Sequence, residues 1–375
     1  MNNQYISTQN APRRELFAAA NSGQGFRSFY QEVFGAPSIE RRYLIKGGPG
    51  CGKSSFMKRI AAICEERGIA VEYYRCSSDP DSIDGIIAGG KVALFDATTP
   101  HVFDPQIAGA KDEIVDLGLF WNSDALFEFR DRISELTEQK RRDYSGAYRF
   151  LEAALSVSKG SDELVLPLVK RGKLEGAAAR ILRDLPNGEG YSYRIGIGSS
   201  VGMKGRCRLD YYTSAAKKVI AVEDYMGVGG LFIAAVANEA VRKHCAICVS
   251  YDPIDLTSPD AVLFEESGTS FVLVRSEKEK NSYSGYEKTV RCKRFVDVSA
   301  CGIREWNYIK REHKSARRIY DSLCECASEC MQRAGEKHFE LEKIYGAAMD
   351  FEALGRFCKS FGEKIFDFIA GRSTR

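Results

Sequence analysis

The chain has 375 residues, of which 44% are hydrophobic and 28% are charged. This is the composition of an ordinary globular protein, long enough for two domains. A formal net charge of +3 is too small to indicate nucleic acid as a partner. No apolar stretch approaches the roughly 18 residues of a membrane span, and the N-terminus has no apolar signal core. We therefore expect a cytoplasmic protein without a membrane partner.

The first strong signal along the chain is a strand, a glycine-rich loop and a helix. Residues 1–24 show no hydrophobic periodicity and are predicted to be flexible. Tyr43, Leu44 and Ile45 predict an apolar strand after a basic pair, and residues 54–68 predict a helix that stops at a glycine. The segment between them matches the phosphate-binding pattern G-x-x-x-x-G-K-S, with Gly47, Gly48, Pro49, Gly50, Cys51, Gly52, Lys53 and Ser54.

This pattern predicts a nucleoside triphosphate site. Its glycines let successive backbone N–H groups curl around an anion, and the following helix adds its positive N-terminal end. Lys53 is the expected catalytic cation on the β- and γ-phosphates, and the Ser54 hydroxyl is an expected Mg²⁺ ligand. Ser55 completes the predicted cofactor-binding set. ATP and Mg²⁺ are therefore the expected cofactors.

A second part of the predicted site is an acid at the end of a neighbouring strand. The segment KVALFDATTPH runs four apolar residues into Asp96, about 40 residues beyond the loop, so Asp96 is predicted to be catalytic and to hold Mg²⁺ with Ser54. Many motor-type ATPases place a glutamate directly after this aspartate to activate water. Ala97 stands there, so hydrolysis is expected to be slow or to use another base.

Several residues are candidates for that base or for binding a second substrate. The acidic and histidine candidates are Asp79, Asp81, Asp84, His101, Asp104, Glu113 and Asp116, while Thr98 and Thr99 are candidate γ-phosphate sensors. A cation acting on the γ-phosphate is sought among Arg130, Arg132, Arg141 and Arg142, on a predicted helical insertion. Each acid taken alone is also an ordinary turn former or helix cap, so both interpretations stay open.

The sequence contains an internal repeat. Aligning Gly52 with Gly229 places RRYLIKGGPGCGKSSF over KVIAVEDYMGVGGLFI. The elements Ser77-x-Asp79-Pro80 and Ser250-x-Asp252-Pro253 then follow the second strand of each copy. In this alignment Lys53 meets Gly230, Ser54 meets Leu231 and Asp96 meets Arg275, so the second copy is predicted to be degenerate.

The twelve cysteines are scattered along the chain, and reduced thiols are expected. Cys245 and Cys248 have metal-like spacing but lie in an apolar run without a second pair, which favours a buried strand. Cys324, Cys326 and Cys330 fall in one predicted helix and are expected to be packing or surface thiols. His313 lies on the apolar stripe of the same helix and is expected to be a packed residue.

Several segments together resemble a known family. GFRSFY, GGPGCGKSS, YYRCSSDPDSIDG, FDATTPHVFDP and GAKDEIVDL are similar to a bacterial family of uncharacterised tandem P-loop proteins, described only as ATPases or ATP-binding proteins. The resemblance spans nearly the whole chain. It implies that both halves carry a phosphate loop, although the second loop here lacks Lys and Ser. Cys51 stands where Thr is common and is expected to face away from the phosphates.

The predicted fold class is α/β, a P-loop NTPase fold with a parallel doubly wound sheet, internally duplicated with helical appendages. The predicted domains are 25–190, with a helical hairpin inserted at about 106–190, and 191–375, with a helical region at about 293–370. The predicted function is Mg²⁺-dependent ATP binding with weak ATPase activity in the first half. The alternatives are a small-molecule or nucleotide kinase that transfers phosphate to an unknown acceptor, and a non-hydrolytic switch or scaffold for a protein partner.

Overall fold

The computed structural model of the chain describes residues 13–183, 185, 187–188 and 190–372. The strands of the first half are β1 (Arg14–Phe17), β2 (Ala19–Ser22), β3 (Gly25–Ser28), β4 (Arg41–Lys46), β5 (Val71–Arg75), β6 (Ile83–Ala88), β7 (Val92–Asp96) and β8 (Asp112–Asp116). Those of the second half are β9 (Ser192–Ile195), β10 (Ser199–Gly202), β11 (Gly205–Arg208), β12 (Lys218–Glu223), β13 (Ala246–Tyr251), β14 (Pro259–Phe264), β15 (Thr269–Val274) and β16 (Tyr286–Arg291).

Ten α-helices are assigned in the described part of the chain. They are α1 (Tyr30–Phe34), α2 (Lys53–Glu66), α3 (Ser123–Glu128), α4 (Arg130–Val165), α5 (Arg171–Ile181), α6 (Tyr211–Ser214), α7 (Val228–Arg242), α8 (Glu277–Asn281), α9 (Ile303–Ala347) and α10 (Phe351–Ile369). Short 3₁₀ turns lie at Leu117–Phe120, Leu166–Leu168, Cys292–Phe295 and Val298–Ala300.

The two halves have the same sheet topology. The first sheet has the strand order β1-β5-β6-β7-β4-β8, and the second has the order β9-β13-β14-β15-β12-β16 when it is read from the corresponding edge. Each half also carries one separate hairpin, β2–β3 in the first and β10–β11 in the second. The internal repeat inferred from the sequence is thus matched, strand for strand, by the topology.

The predicted α/β class is confirmed, but both six-stranded sheets are mixed where a parallel sheet was predicted. The strands β4, β7 and β8 run parallel, but β6 runs antiparallel to both of its neighbours, and β14 does the same in the second sheet. A tight turn causes this in the first half, because Gly89 and Gly90 both adopt positive φ angles, 60° and 67°, and reverse the chain between β6 and β7.

The predicted flexible N-terminus also differs from the structure. Residues 1–12 lie outside the described part of the chain, but residues 14–17 form β1 and residues 19–22 form β2. Leu16 to Ala20 are almost fully buried. These strands are too short to show a hydrophobic period, so the sequence pattern did not reveal them. The polar composition of residues 371–375 also predicts a frayed end, and residues 373–375 lie outside the described part of the chain.

Three apolar cores organise the layers. One core lies between the outer face of the first sheet and the helices α2 and α10, and another lies between the outer face of the second sheet and the helices α7 and α5. The third joins the inner faces of the two sheets, with Leu44 and Phe95 from the first and Val219 and Leu263 from the second. The inner faces of the two sheets therefore pack against each other and share one apolar core.

Each half completes its outer layer with helices from the other half. Helix α5 lies near the end of the first half but packs on α7, and α10 lies near the end of the second half but packs on α2. Cys358 and Phe361 of α10, for example, are buried against the first sheet and α2. The domain boundary predicted near residue 190 therefore stays a prediction.

The helices α4 and α9 form a long antiparallel pair. Arg132 near the start of α4 pairs with Glu340 near the end of α9, and Ser161 near the end of α4 bonds His313 near the start of α9. The small or flexible residues Ala147, Ala327 and Met331 are buried between them. Such residues allow close helix approach. The pair also contacts both glycine-rich turns, since Glu342 of α9 lies against Gly50 and Asp162 of α4 lies against Gly227.

The predictions about membrane spans and cysteines can be compared with the described residues. In that part of the chain, no helix combines the length and the apolar character that a bilayer crossing requires. Among the described residues, Cys248 is a thiol buried inside β13, and Cys324, Cys326 and Cys330 are thiols on α9.

Candidate functional site

The first glycine-rich segment, here called loop 1 (residues 47–52), connects β4 to α2. Gly47, Gly50 and Gly52 have positive φ angles of 153°, 69° and 88°, a backbone region that side-chain-bearing residues rarely adopt. Gly52 is the N-cap of α2, and Lys53 and Ser54 are its first two residues. Loop 1 therefore turns its backbone directly into a helix N-terminus, where N–H groups lack helical partners.

These N–H groups are available to an anion. Among the described residues, the backbone N–H groups of Gly48, Gly50, Gly52 and Ser54 donate to no side-chain or backbone acceptor. The Cys51 side chain is fully buried in the core under α2, with its sulfur beside Gly47, and burial raises the pKa of its thiol. A ring of free donors at a helix N-terminus is suited to a phosphate or carboxylate group.

Lys53 is held at the mouth of loop 1. Its Nζ atom donates to the carbonyl oxygens of Gly47 and Gly48, at 3.0 and 2.9 Å, and lies 3.6 Å from Asp96 Oδ2. Asp96 is the last residue of β7, which pairs with β4 in parallel. Parallel pairing brings the ends of the two strands together, and this is why Lys53 and Asp96 meet.

The two predicted metal ligands are positioned by neighbouring groups. Asp96 Oδ1 accepts hydrogen bonds from the backbone N–H of Thr98, at 2.9 Å, and from its hydroxyl group, at 2.5 Å. Ser54 Oγ accepts a hydrogen bond from the N–H of Ile83 at 3.1 Å, which leaves its own proton and one lone pair unassigned.

These oxygens fit a magnesium ion. No group of three or more His, Cys, Asp or Glu side chains is arranged as a metal site in the described part of the chain. Magnesium is commonly held by one or two protein oxygens, phosphate oxygens and water, so one hydroxyl and one carboxylate are a sufficient protein contribution.

Helix α9 packs against loop 1 from the second half. The Tyr345 ring lies against Gly48, and a Cβ atom built on Gly50 would be 2.4 Å from the carbonyl oxygen of Glu342. Two of the loop glycines are thus required by the close approach of α9, a reason for glycine that the sequence motif does not contain.

Helices α4 and α9 add further charged groups near Lys53. Lys140 of α4 lies 3.5 Å from His338 Nδ1 of α9, and burial followed by the charge of Lys53 lowers the pKa of Lys140. Burial, Lys140 and Lys53 together lower the pKa of His338 to about 4. Burial, followed by Asp79, raises the pKa of Glu342. The sequence missed all three residues, because contacts between helices so distant in the chain leave no local pattern.

The predicted arginine candidates lie elsewhere. Arg132 pairs with Glu135 and Glu340, and Arg141 and Arg142 both pair with Glu138 on the exposed side of α4. Arg130 pairs with its neighbour Asp131. Lys140 is therefore the α4 cation that the fold brings toward loop 1.

The second glycine-rich segment, here called loop 2 (residues 224–227), connects β12 to α7 and is two residues shorter than loop 1. Gly227 is the N-cap of α7 with a φ of 84°, the counterpart of Gly52. Asp224 Oδ1 accepts from the N–H of Gly229 at 2.7 Å, and Oδ2 accepts from the N–H of Gly227 at 3.2 Å. A carboxylate of the chain itself thus occupies the position at which an anion would bind.

The shorter loop corrects the alignment of the two halves. Because α2 begins at Lys53 and α7 at Val228, Lys53 corresponds to Val228 and Ser54 to Gly229, rather than to Gly230 and Leu231. The strand register also matters, since Ile45 pairs with Asp96 and its counterpart Val222 pairs with Leu273. Leu273, not Arg275, therefore stands in the place of Asp96, and the conclusion that the second copy lacks the charged groups is unchanged.

A cavity of about 100 Å³ lies beside loop 2, between α4 and α9. Asp162, Asp224, His313 and Arg275 are among the residues that line it. Burial, followed by the nearby charge of Asp224, raises the pKa of Asp162 to about 7. His313 bonds Ser161 at 2.7 Å, so it is packed as predicted but also borders this cavity.

The remaining candidate bases separate into two groups. Glu113 is engaged by Arg41 and Lys364, Asp116 accepts from the N–H of Gly118, and Asp104 is exposed. Asp79 and Asp81 face Lys204 of the second half. Asp84 and His101 are instead buried together, with His101 Nε2 3.4 Å from Asp84 Oδ2.

No protein-family description, curated protein or solved structure matches this chain.

Proposed function

We propose that the first half binds a nucleoside triphosphate as its Mg²⁺ complex, with ATP as the expected nucleotide, and hydrolyses it slowly. The single observation that carries the proposal is the contrast between the loops. Loop 1 offers free N–H donors beside Lys53, whereas the matching donors of loop 2 are occupied by Asp224. Free donors at a helix N-terminus next to a fixed cation favour a phosphate chain.

In this proposal each group has a separate task. The loop N–H groups hold the phosphate oxygens and Lys53 exchanges its carbonyl contacts for the β- and γ-phosphates. Ser54 and Asp96 would hold a Mg²⁺ ion or its water shell, and such an ion would supply positive charge to offset the charge that develops on the γ-phosphate. Lys140 adds a second cation from α4. The P-loop NTPase fold and the resemblance to tandem P-loop ATPases belong to this proposal.

The proposal predicts one nucleotide per chain. Titration of the full chain with Mg-ATP in a calorimeter should give a stoichiometry of one, and Lys53→Ala should weaken binding by about 10- to 150-fold. This range corresponds to a charge-assisted contact of roughly 1.5–3 kcal/mol. Lys243→Ala is a matched control, because Lys243 also binds backbone carbonyls but lies at the end of α7.

Three outcomes would contradict parts of the proposal. Equal affinity of the parent and Lys53→Ala would remove loop 1 as the site. Two Mg-ATP molecules per chain, with one surviving Lys53→Ala, would show that loop 2 is also a working site. Transfer of labelled phosphate to a metabolite, without release as inorganic phosphate, would favour the kinase alternative over hydrolysis.

A further inference from the structure

A buried polar cluster lies beside the proposed nucleotide site and has no task in it so far. Asp84 and His101 are 7% and 8% exposed, and Tyr30 is 3% exposed. The His101 ring stacks on Tyr30 with centroids 4.8 Å apart, and Phe26 contacts its edge at 5.0 Å. His101 Nδ1 and Tyr30 Oη have no hydrogen-bond partner among the described residues, and Asp84 Oδ2 has no hydrogen bond but lies 3.4 Å from His101 Nε2. Buried polar atoms of this kind are costly in a folded protein and point to a function.

The strand register brings Asp84 to the site. Gly85 pairs with Phe95 across β6 and β7, and the same register places Asp84 opposite Asp96. Opposite residues of paired strands point to the same face, roughly 5 Å apart. Asp96 in turn lies 3.6 Å from Lys53. Asp84 is therefore one strand beyond Asp96 on the side of the sheet that carries loop 1.

The second half provides an internal comparison. Asp260 is the counterpart of Asp84 in β14, but the register places it opposite Leu273, and it accepts a hydrogen bond from Ser199 at 3.2 Å. The residue at the matching place in β2 is Ala19, which has no hydroxyl group to donate. The first half thus pairs its buried aspartate with a histidine and a second carboxylate, where the second half uses a serine and a leucine.

The electrostatic setting suits a group that exchanges protons. Burial raises the pKa of Asp84, His101 opposes this effect, and the charge of Asp96 adds to it. The Asp84 side chain nevertheless retains 10% exposure, so it is not sealed from the site. A carboxylate with a raised pKa is a better proton acceptor at neutral pH than an ordinary surface carboxylate.

We propose that Asp84 is the catalytic base of the first site and that His101 is a positioning residue that orients it. The inference rests on the proposed function of loop 1. An O–H nucleophile, either water or an acceptor hydroxyl group, forms a bond to the γ-phosphorus. The bond from that phosphorus to the β,γ-bridging oxygen breaks, ADP leaves with the electron pair, and the proton of the nucleophile passes to the Asp84 carboxylate. Asp84 would thus take the role of the glutamate that many ATPases have at the position of Ala97.

The test compares binding with turnover. Asp84→Asn should lower single-turnover cleavage of labelled ATP at least 100-fold, the usual range for loss of a general base. Its Mg-ATP dissociation constant should stay within threefold of the parent value. Asp260→Asn is the matched control, since it alters the equivalent buried aspartate outside the site, and its turnover should stay within twofold of the parent value. Inorganic phosphate release and phosphate transfer to a metabolite extract, measured in parallel, distinguish water from an acceptor hydroxyl group.

His101→Gln tests the positioning role through the pH profile. Without His101, the effect of burial on the pKa of Asp84 is opposed by the smaller effects of Cys76 and Lys53, so the acid limb of the profile should move to higher pH. A merely structural residue would lower the rate without moving that limb. This variant also tests the inference if Asp84→Asn does not fold.

The inference and the proposed function can fail separately. Turnover of folded Asp84→Asn within threefold of the parent value, or an unmoved acid limb in His101→Gln, overturns the role of Asp84. Mg-ATP binding that is sensitive to Lys53→Ala, with neither phosphate release nor transfer by the parent, also overturns it but leaves the nucleotide site in place. Absence of Mg-ATP binding removes the proposed function itself.

Discussion

Asp224→Ala is expected to open the anion position of loop 2. In the parent, the Asp224 carboxylate accepts hydrogen bonds of 2.7 and 3.2 Å from Gly229 and Gly227 at the N-terminus of α7. The variant leaves both donors unpaired at the positive end of a 15-residue helix. The free energy of unfolding should therefore fall, and an added anion should restore part of the loss.

The magnitude follows from these contacts. Removing a capping carboxylate costs about 0.5–2 kcal/mol, and the shorter bond favours the upper end of that range. One effect opposes this loss, because Asp224 also helps to raise the pKa of Asp162. Burial is the larger cause of the Asp162 pKa shift, so removing the charge of Asp224 stabilises the folded state only slightly. A net loss of about 1–2 kcal/mol in the free energy of unfolding is therefore expected.

The assay is urea unfolding of the parent and the variant in chloride and in phosphate at matched ionic strength. Phosphate at ten times its dissociation constant should return about 1.4 kcal/mol to the variant and nothing comparable to the parent. Asp350→Ala is the matched control, since Asp350 caps α10 through Ala353 without a glycine loop. A variant as stable as the parent, or equal phosphate effects in the variant and the control, would refute the interpretation of Asp224 as an internal anion.

Three further predictions concern the metal, a titrating acid and the thiols. Ser54→Ala and Asp96→Ala should each raise the midpoint of the Mg²⁺ titration of ATP binding at least tenfold, and an unchanged midpoint in both would remove them as ligands. Asp162 has a folded-state pKa raised to about 7, so its proton is bound more tightly in the folded state. Its contribution is present at low pH and is lost as the pH rises toward 7. Burial is the largest cause of this pKa shift, the charges of Asp224 and Asp255 add to it, and those of Lys159 and Arg275 oppose it. From pH 5 to pH 8, parent stability should fall relative to Asp162→Asn by up to about 2–3 kcal/mol in urea unfolding, whereas a constant difference would contradict the shift. Thiol titration of the denatured, unreduced protein should find all twelve cysteines, and a clearly lower count would reveal disulfides.

The sequence predicted the parts of the first half that depend on local patterns. The strand around residues 43–45, the helix after Lys53 and the position of Asp96 at a strand end all follow from short hydrophobic periods and a glycine motif. The repeat was visible for the same reason, since both halves keep the apolar strand, the glycine turn and the helix in one order. These signals depend on neighbours in the chain, which is the information that one sequence contains.

The antiparallel strands β6 and β14 were missed because a fully buried strand has no alternating pattern. All six residues of β6 are buried, and only the Gly89–Gly90 pair marked the turn that follows. The two-residue difference between the loops was missed because an alignment without gaps matched glycines rather than helix starts. Asp224 was consequently given no role from the sequence, although its carboxylate accepts hydrogen bonds from Gly227 and Gly229 at the N-terminus of α7.

The surroundings of Lys53 could not be predicted at all. Lys140, His338 and Glu342 reach loop 1 only because α4 and α9 cross the molecule as an antiparallel pair. Each helix shows a stripe that is typical of packing, but the stripe does not say which helix it faces or what lies at its end. The partnership of Asp84 with Asp96 likewise depends on strand register, which the missed β6 concealed.

The packing of α10 on α2 sets the order in which the protein can mature on the ribosome. Residues 53–66 emerge early, but the apolar face of α2 is covered by residues 351–369, which are among the last to be made. At synthesis rates of about 5–20 residues per second, the interval is roughly 15–60 s. During that time the first sheet carries an uncovered apolar surface, a condition under which nascent chains recruit chaperones. A stop codon that removes only α10 should therefore expose the apolar face of α2 and destabilise the first half.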